Sequence, residues 1–481
     1  MKSRDLAEKL VRIIPAERIL TDDSTLAQYA SDMTEAPPSP PDAVVKAHTR
    51  EEIVALVKFA NENRVPLIPA VARTNLGGLC IPERGGIIVD LTDMRRILEV
   101  NENEMYAVIE PGVTFGDISE YLKKHHAALR FGYPLSPPYT SVCANCICDG
   151  LANLSLRHGA MSEWVNGMEI VLPSGEVVVT GAGSVSPVWF GHAPIPHLDG
   201  LIFSWQGTTG IVTKMAVQLW PNLPLRKRMF ILAATHHDAF DLMRRFCRTL
   251  MFDDIGGMTW PTGKMLFGIK KPACKDPTEP GAFVYLDFSG NIPEEIDCKL
   301  KMVRIVLEKA RSAGVKAEEP ILLEDIVRLN ERFAKFAEFP TTLDFLLDHG
   351  GGGLTWVGTY GPTAAWDEAA DRAEKIMAEH GFPPTMVLRP MKGGHFGVFR
   401  AITIFNKNDA EEVERARRCN RALGQMALDL GFVIYKTPAW AVEMMLERMN
   451  PETHALMSRI KKLLDPNNIM NPGKWKFRHT I

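Results

Sequence analysis

The chain of 481 residues lacks most of the patterns that mark a specialised class of protein. Its 8 cysteines are too few for a disulfide framework in a chain of this length. The 55 Lys and Arg residues nearly balance the 58 Asp and Glu residues, so no basic field recommends a nucleic-acid partner. No apolar run reaches the ~18 residues of a membrane span, and the N-terminal segment has no signal-peptide core. We therefore expect a cytoplasmic protein with no nucleic-acid partner and no membrane span.

The commonest nucleotide-binding and catalytic motifs are missing as well. No Gly-x-Gly-x-x-Gly opens a helix after a strand, so a nicotinamide site of the Rossmann type is unsupported. No Walker loop, HExxH helix or Gly-x-Ser-x-Gly elbow is present. Three cysteines cluster in SVCANCICDG (141–150), but their spacing has no second half that would complete a metal site. Small buried thiols lining a turn are the better interpretation.

What the sequence does contain is an alternation of strands and helices in two blocks. A strand at AVVKAH, a helix at EEIVALVKFANENR and a strand at VPLIPA predict a βαβ unit. The alternation stops at the proline-rich PNLPLRK near residue 222 and restarts after it in a form suited to an antiparallel sheet with helices on one face. We therefore predict an α+β protein with a domain boundary near residue 222 and a last, mostly helical stretch over residues 409–481.

Four glycine-bearing turns are spread through the first half of the chain. They are VARTNLGG (71–78), EPGVTFG (110–116), SVCANCICDG (141–150) and QGTTGIVTK (206–214). Glycine lets backbone N–H groups approach an anion, and hydroxyls such as those of Thr74, Ser141 and Thr208 add donors. Each turn alone is weak evidence, but together they favour a phosphate-bearing ligand that lies across several loops.

These turns, in this order, resemble a family of flavin proteins typified by vanillyl-alcohol oxidase and p-cresol methylhydroxylase. The matching segments are RTNLGG, GGIIVDLTDMRRILEVN, EPGVT, GMEIVLPSGEVVVTG, LDGLIFSWQGTTGIVTKMAVQLWP, IFNKND and LDPNNIMNPGKW, which span nearly the whole chain. The resemblance implies FAD as the cofactor and a two-subdomain FAD-binding domain of the PCMH type over residues 1–222. It further implies an antiparallel-sheet cap over residues 223–430 and a C-terminal segment, 431–481, that returns to the FAD-binding domain.

The resemblance also implies which residues contact FAD. By position they are Arg73, Thr74, Asn75, Gly77 and Gly78 in a first pyrophosphate loop, Glu110, Pro111 and Gly112 near the adenine, Ser141, Val142 and Asn145 near the pyrophosphate and ring, Gly207, Gly210 and Val212 closing the pocket, and Lys474 reaching the ring or ribityl region. A cation near the flavin ring stabilises the reduced anionic flavin, which suits Lys474. His395 lies four residues before the position at which some members tether the flavin, so we expect non-covalent FAD.

Two branches of the family compete for the substrate. The 2-hydroxy-acid branch holds a metal with clustered histidines, whereas His349, His395 and the pair His236-His237 are dispersed here, so we expect no metal. In the 4-alkylphenol branch a tyrosine and an arginine stabilise a phenolate, and GFVIYKTP (431–438) resembles that segment. The resemblance therefore implies catalytic roles for Tyr435 and Lys436.

This chain departs from the phenol pattern at three positions. Ser136 stands where that branch has an acidic residue, and residues near Leu76 and Asn153 replace two tyrosines. The sequence still favours hydride abstraction from a small aromatic substrate, a 4-alkylphenol or a benzylic alcohol, by a dehydrogenase rather than an oxidase. Two alternatives remain: a dehydrogenase of a 2-hydroxy acid or another alcohol, and a flavin subunit that only relays electrons. An electron-acceptor protein is a candidate partner, and the family leads us to expect a homodimer.

Overall fold

The computed structural model describes residues 3–266, 273–331, 333–334 and 351–477. They form an N-terminal domain, a cap and a C-terminal segment that joins the two. None of the helices in this part of the chain combines the length and the apolar composition needed to span a bilayer.

The N-terminal domain contains two larger sheets and a two-stranded sheet of β7 and β11. The first has the order β1-β2-β4-β3 and pairs β2 and β3 in parallel with β4, whereas the second is antiparallel with the order β5-β6-β10-β8-β9. The strands are β1 (Ile19–Leu20), β2 (Ala43–Lys46), β3 (Leu67–Ala70), β4 (Ile87–Asp90), β5 (Ile97–Asn101), β6 (Tyr106–Ile109), β7 (Leu129–Arg130), β8 (Val165–Val171), β9 (Val177–Val179), β10 (Ile211–Gln218) and β11 (Trp220–Pro221). The helices are α1 (Ser3–Leu10), α2 (Asp23–Tyr29), α3 (Arg50–Asn63), α4 (Phe115–His125), α5 (Val142–Ile147) and α6 (Ser155–His158).

The predicted βαβ unit is β2-α3-β3. Helix α3 begins after Thr49, whose side chain accepts a hydrogen bond from the N–H of Glu52, and it ends at Arg64 in the left-handed conformation with φ 52°. Its apolar face packs in the same core as both strands of the unit. The unit therefore delivers the chain to the first glycine loop, which follows β3.

The cap is built on one antiparallel sheet of eight strands in the order β15-β12-β14-β13-β17-β18-β16-β19. Its strands are β12 (Leu225–Ala233), β13 (Asp254–Thr259), β14 (Ala282–Gly290), β15 (Ile321–Leu322), β16 (Gly352–Gly361), β17 (Met386–Met391), β18 (Phe396–Asn406) and β19 (Val433–Ile434). The helices are α7 (His236–Cys247), α8 (Trp260–Leu266), α9 (Pro293–Ser312), α10 (Leu323–Leu329), α11 (Trp366–Glu379) and α12 (Ala410–Asp429), followed by α13 (Ala439–Arg448) and α14 (Pro451–Leu464). These elements confirm the predicted α+β fold with an antiparallel cap sheet.

The two faces of the cap sheet have different partners. Alternate residues of β18 point to opposite faces, so Phe399 and Ala401 join the core shared with α7, α9, α11 and α12. The neighbouring Ile402 instead joins a core that includes Leu76 of the N-terminal domain. The same alternation places Arg400 on the face that looks toward the N-terminal domain.

Charged side chains join the cap to the N-terminal domain through hydrogen bonds to a backbone carbonyl and to a carboxylate. Arg389 of β17 donates hydrogen bonds to the Asp254 carboxylate at 2.5 Å and to the carbonyl of Ala152 at 2.8 Å. Arg130 donates to the Asp253 carboxylate at 3.2 Å. Charged hydrogen bonds with this degree of burial fix geometry because breaking one leaves an uncompensated charge.

The C-terminal segment passes from the cap back to the N-terminal domain. Its strand β19 pairs with β16, so the cap sheet extends past the predicted boundary at residue 430. After α14 the chain reaches β3, where the N–H of Leu67 donates to the carbonyl of Ile469 at 2.7 Å. The loop after β19 and the loop after α14 both line the space between the two domains.

Candidate active site

A long cleft lies between the N-terminal domain and the cap. Its walls come from the loop after β3, the start of α5, the turn before β10, and residues of β16, β18 and the segment after β19. It contains about 1740 Å³ of empty space, its open mouth included. A cleft with walls from both domains can hold a ligand that contacts the glycine turns on one side and the cap on the other.

The loop after β3 is held by its own side chains. Asn75 accepts hydrogen bonds through Oδ1 from the N–H groups of Gly77 at 3.1 Å and Leu79 at 3.0 Å. Arg73 has φ 53°, and its guanidinium donates to the Gln28 carbonyl at 2.7 Å. Arg73, Asn75 and the intervening Thr74 all line the cleft.

Gly77 and Gly78 lie behind this loop and do not line the cleft. A Cβ on Gly77 would collide with the carbonyl oxygen of Lys436, so the loop and the cap-derived segment can meet only at a glycine. Gly78 has φ 65°, a conformation that glycine adopts without strain. Both glycines therefore serve the close approach of two chain segments.

The start of α5 forms the second wall. Ser141 caps the helix by accepting from the N–H of Ala144 at 3.0 Å, and its hydroxyl donates to the carbonyl of Pro111 at 2.7 Å. Pro111, Ser141 and Asn145 line the cleft. Val142 is buried behind them.

Gly112 is also placed behind this wall. Its N–H donates to the carbonyl of Met94 at 2.7 Å, and a Cβ would lie 2.5 Å from the carbonyl of Thr92. Glu110 lies nearby and accepts from Arg96 at 2.7 Å. Neither residue lines the cleft.

The turn before β10 and the end of the chain form the third wall. Gly207, Gly210 and Val212 line the cleft as expected from the resemblance. Gln206 and Asn471 line it too, and the sequence analysis did not select them. Asn471 donates to the carbonyl of Gln206 at 2.7 Å. The signal in the sequence for this contact was the family-like ending NPGK, which begins at Asn471.

Lys474 lies outside the cleft. Its ammonium donates to the Glu83 carboxylate at 3.1 Å and to the carbonyl of Ile81 at 3.3 Å, on the far side of the glycine loop. Gly473, with φ 105°, turns the chain in that direction. The structure therefore does not bring Lys474 to the position that the resemblance implied.

Tyr435 and Arg400 form a pair on the cap side. Arg400 donates to the Tyr435 hydroxyl at 2.6 Å, and its guanidinium lies 4.5 Å from the centroid of the Trp356 ring. Arg400 and Trp356 line the cleft, whereas Tyr435 stands behind them and stacks on Tyr360 at 4.6 Å. Burial raises the pKa of Tyr435, and the nearby Arg400 opposes the shift, so the phenol stays protonated at neutral pH.

Arg400 is the main residue that the sequence analysis missed. Its side chain is 3% exposed, its Nε has no hydrogen-bond partner, and no carboxylate of the described residues pairs with it. The signal in the sequence was a single arginine within the apolar strand FRAITIFN. Such a residue can be recognised as a ligand-binding cation only when its strand's face is known.

Lys436 connects the cap-derived segment to α5. Its ammonium donates to Oδ1 of Asn145 at 2.8 Å, and both residues line the cleft. Burial lowers the pKa of Lys436 to about 8, while the nearby Cys148 acts in the opposite direction. The side chain is therefore charged below about pH 8 and loses its charge above it.

The charges that line the cleft are all positive. They belong to Arg73, Arg400 and Lys436, and no Asp, Glu, His or Tyr is among the described residues of the lining. Cys80 lines the cleft as well, but burial raises the pKa of its thiol to about 12, so it is a poor nucleophile at neutral pH. The cleft is thus suited to anionic ligands.

Four buried polar atoms of the lining have no hydrogen-bond partner. They are Oγ of Ser136, Oε1 of Gln206, Nε of Arg400 and Oδ1 of Asn471. An unsatisfied buried polar atom costs about 1–3 kcal/mol, so such atoms usually meet a ligand or water. FAD fits because it brings a diphosphate, ribityl hydroxyls and a ring edge that both donates and accepts hydrogen bonds. Gln206, Asn471 and the N-terminal glycine turns would hold it, and once bound it supplies a hydride acceptor.

The lowered pKa of Lys436 predicts a pH dependence of anion binding. Benzoate stays ionised from about pH 6 to about pH 10, so its affinity should fall about three- to tenfold as Lys436 loses its charge near pH 8. Lys436→Arg keeps a permanent cation and should flatten the profile. Affinity is measured from the change in the visible spectrum of the bound flavin on titration. An equal fall in both proteins would contradict the role of Lys436.

The contact between Gly77 and Lys436 predicts a specific loss of cofactor. Gly77→Ala forces the carbonyl of Lys436 away and should weaken FAD binding by at least about tenfold, or 1.4 kcal/mol. Gly200→Ala is the matched control, because a Cβ there meets nothing within 4 Å. FAD is titrated into the two apoproteins and followed by fluorescence quenching. Equal affinities would show that the close approach does not support the site.

Comparison with known proteins identifies the family. The model of an FAD binding domain matches residues 41–181, and that of the C-terminal domain of FAD linked oxidases matches residues 251–475. A D-lactate dehydrogenase of Anaerostipes hadrus is 25% identical, with 98% of this chain and 97% of the relative covered. The flavoprotein subunit of 4-cresol dehydrogenase [hydroxylating] of Pseudomonas putida is also 25% identical, over 97% of this chain and 94% of the relative.

A solved structure shows the same fold. The 4-ethylphenol oxidase of Gulosibacter chungangensis, in complex with isoeugenol, superposes with a TM-score of 0.87 at 21% identity, covering 99% of this chain and 97% of that chain. The two domain matches cover the first three glycine turns and most of the cap, which contribute walls of the cleft. The chain belongs to the FAD-linked oxidoreductases of the vanillyl-alcohol oxidase and p-cresol methylhydroxylase family, and FAD is its cofactor.

Proposed function

We propose that this protein is a dehydrogenase that removes a hydride from a small aromatic substrate with an ionisable oxygen, a 4-alkylphenol or a 4-hydroxybenzylic alcohol. The observation that carries the proposal is Arg400, a buried guanidinium with a free Nε at the cap side of the cleft. A phenolate oxygen would complete its hydrogen bonding. Lys436 adds a second positive charge in the same lining.

The walls around Arg400 suit a flat apolar ring. Leu354, Trp356 and Ile402 line the cleft from the cap, and Leu76 and Leu151 line it from the N-terminal domain. Such walls stabilise an aromatic body through burial of apolar surface, which a three-carbon hydroxy acid offers only in small amount. Leu76 occupies a position at which the phenol pattern has a tyrosine, so Arg400 takes over part of the recognition of the oxygen.

The proposed reaction depends on the negative charge of the bound phenolate. FAD supplies the hydride acceptor when bound. Arg400 and Lys436 hold the phenolate, whose negative charge spreads into the ring and weakens the benzylic C–H bond. The phenolic proton is lost to solvent when the substrate binds as its anion beside the two cations. The benzylic hydrogen then leaves with the bonding electron pair as a hydride, the phenolate oxygen becomes a carbonyl, and a neutral quinone methide forms. The hydride step itself releases no proton and so agrees with a lining that has no His, Asp or Glu among the described residues.

A 2-hydroxy acid is the second candidate, because one relative is a D-lactate dehydrogenase and Arg400 would also bind a carboxylate. Oxidation of a hydroxyl requires a base to take its proton while the hydride leaves. In the described lining, Lys436 is the group whose pKa, about 8, suits that role. This candidate therefore depends on one lysine, whereas phenol oxidation needs no base for hydride transfer.

We further propose that FAD is bound without a covalent bond. His395 is exposed and lies outside the lining of the cleft, and Phe399, at the family's tethering region, is buried in the core of the cap. Phenylalanine cannot form the bond that tyrosine or histidine forms. Transfer of electrons to an acceptor protein and assembly of two copies stay proposals from the family resemblance.

Arg400→Met tests the proposed function. Anaerobic flavin reduction by 4-ethylphenol should be slowed by ~10²-fold or more while FAD content is unchanged, because the phenolate loses its main partner. The matched control is Arg415→Met, which removes an arginine stacked on Phe382 outside the cleft and should leave the rate unchanged.

The choice of substrate separates the two candidates. The wild-type protein should be bleached by 4-ethylphenol but not by its methyl ether, which cannot ionise, nor by D-lactate. Bleaching by D-lactate alone would replace the phenol proposal with the hydroxy-acid one. Bleaching by none of a broad panel would support a subunit that only relays electrons.

A further inference from the structure

Two histidines open a helix on the outer face of the cap. They are His236 and His237, the first two residues of α7. Thr235 caps this helix: its hydroxyl accepts from the N–H of Asp238, and the Asp238 carboxylate accepts in return from the N–H of Thr235. This N-terminal capping by Thr235 fixes the first turn of α7 and so the direction of both imidazoles.

The neighbouring helix α11 supplies carboxylates to the same place. Asp367 and Asp371 are four residues apart and therefore share one face of α11. The Oδ1 atom of Asp371 lies 2.8 Å from Nε2 of His236 and 3.0 Å from Nε2 of His237. The three ligand atoms of this cluster, His236-His237-Asp371, all lie within 4.8 Å of one another.

The two nitrogens of His237 both face carboxylates, which a neutral imidazole cannot satisfy. Nδ1 lies 3.0 Å from Oδ1 of Asp367 and can donate its proton to that oxygen. Nε2 then faces Oδ1 of Asp371 at 3.0 Å, a contact that is favourable when a second ring proton or a bound cation is at Nε2. Arg244 holds the other oxygen of Asp367 at 2.8 Å and fixes the carboxylate that orients the ring.

We propose that the cluster His236-His237-Asp371 binds one divalent transition-metal ion such as zinc. Asp367 orients His237 for this role. Two imidazole nitrogens and one carboxylate oxygen suit zinc and its first-row neighbours better than calcium or magnesium, which prefer oxygen alone. A histidine ligand whose other nitrogen is bonded to a carboxylate is the usual arrangement around such ions.

The ion would join two helices of the cap. Helices α7 and α11 share one hydrophobic core and meet at this cluster. His236 has 15% of its side chain exposed, whereas His237 and Asp371 have 48% and 45%, so the ion can enter from solvent and keep water as further ligands. The site lies away from the lining of the cleft, and its role is to brace the cap.

Zinc titration of the full-length, FAD-loaded protein, freed of any affinity tag and of metal, tests the proposal. Calorimetry should show one high-affinity site, with tighter binding at about pH 8 than at about pH 6, because histidine ligands must lose a proton. Saturating zinc should raise the midpoint of thermal unfolding. His237→Gln and Asp371→Asn should each abolish the site, and Asp367→Asn should weaken it ~10–100-fold.

The control variant is His395→Gln, which removes an exposed histidine elsewhere in the cap and should leave zinc binding unchanged. FAD content and the spectrum of the flavin report whether each variant is folded, and His236→Gln is the second variant should His237→Gln fail that check. Identical zinc binding by wild type and both histidine variants would overturn the proposal and place the ion on exposed thiols such as Cys274 or Cys298. Absence of binding, with thermal stability that falls as pH rises, would overturn it in favour of a proton-held ion pair.

Discussion

The site depends on one short segment, 435–437, in which the chain leaves the cap sheet and touches every wall of the cleft. The carbonyl of Lys436 rests against Gly77 of the first glycine loop, and its ammonium binds Asn145 of α5. The carbonyl of Thr437 accepts from Gln206 of the third turn at 3.0 Å. Three loops that are distant in sequence are therefore aligned by backbone and side-chain contacts with a single stretch, and the cap is positioned by the same contacts.

A second constraint is the sign of the charge in the cleft. Elsewhere in the cap, arginines are neutralised by buried carboxylates: buried Arg389 pairs with Asp254, and buried Arg228 and the more exposed Arg226 share Asp287. The two arginines hold the pKa of Asp287 far below its usual value, against the effect of burial. Arg400 has no such partner among the described residues. A buried cation without an anionic partner lowers the free energy of unfolding of the ligand-free protein, and a bound anion would restore it. That contrast separates the arginines that hold the fold from the one that faces the cleft.

The sequence predicted the fold and several of the turns that line the cleft because both are encoded locally. The glycine turns, the capped helix after Thr49 and the strand-helix order are readable from neighbouring residues. The turns were expected to touch the ligand throughout, yet Gly77 and Gly112 lie behind the lining, since glycine also serves where two backbones meet. Arg400 and Gln206 were missed for the opposite reason. Their importance arises from which face of a strand they occupy and from partners more than 30 residues away, and neither property is visible in the chain order.

The central claim is that FAD lies along the glycine turns and presents its ring to a substrate anion held by Arg400. A crystal structure of the FAD-loaded protein with 4-hydroxybenzaldehyde tests this claim most directly. The account predicts the ligand's phenolic oxygen within hydrogen-bond distance of Arg400, its ring against Trp356, and its aldehyde carbon toward the flavin. A ligand bound in the reverse direction, or FAD placed outside this cleft, would contradict the account.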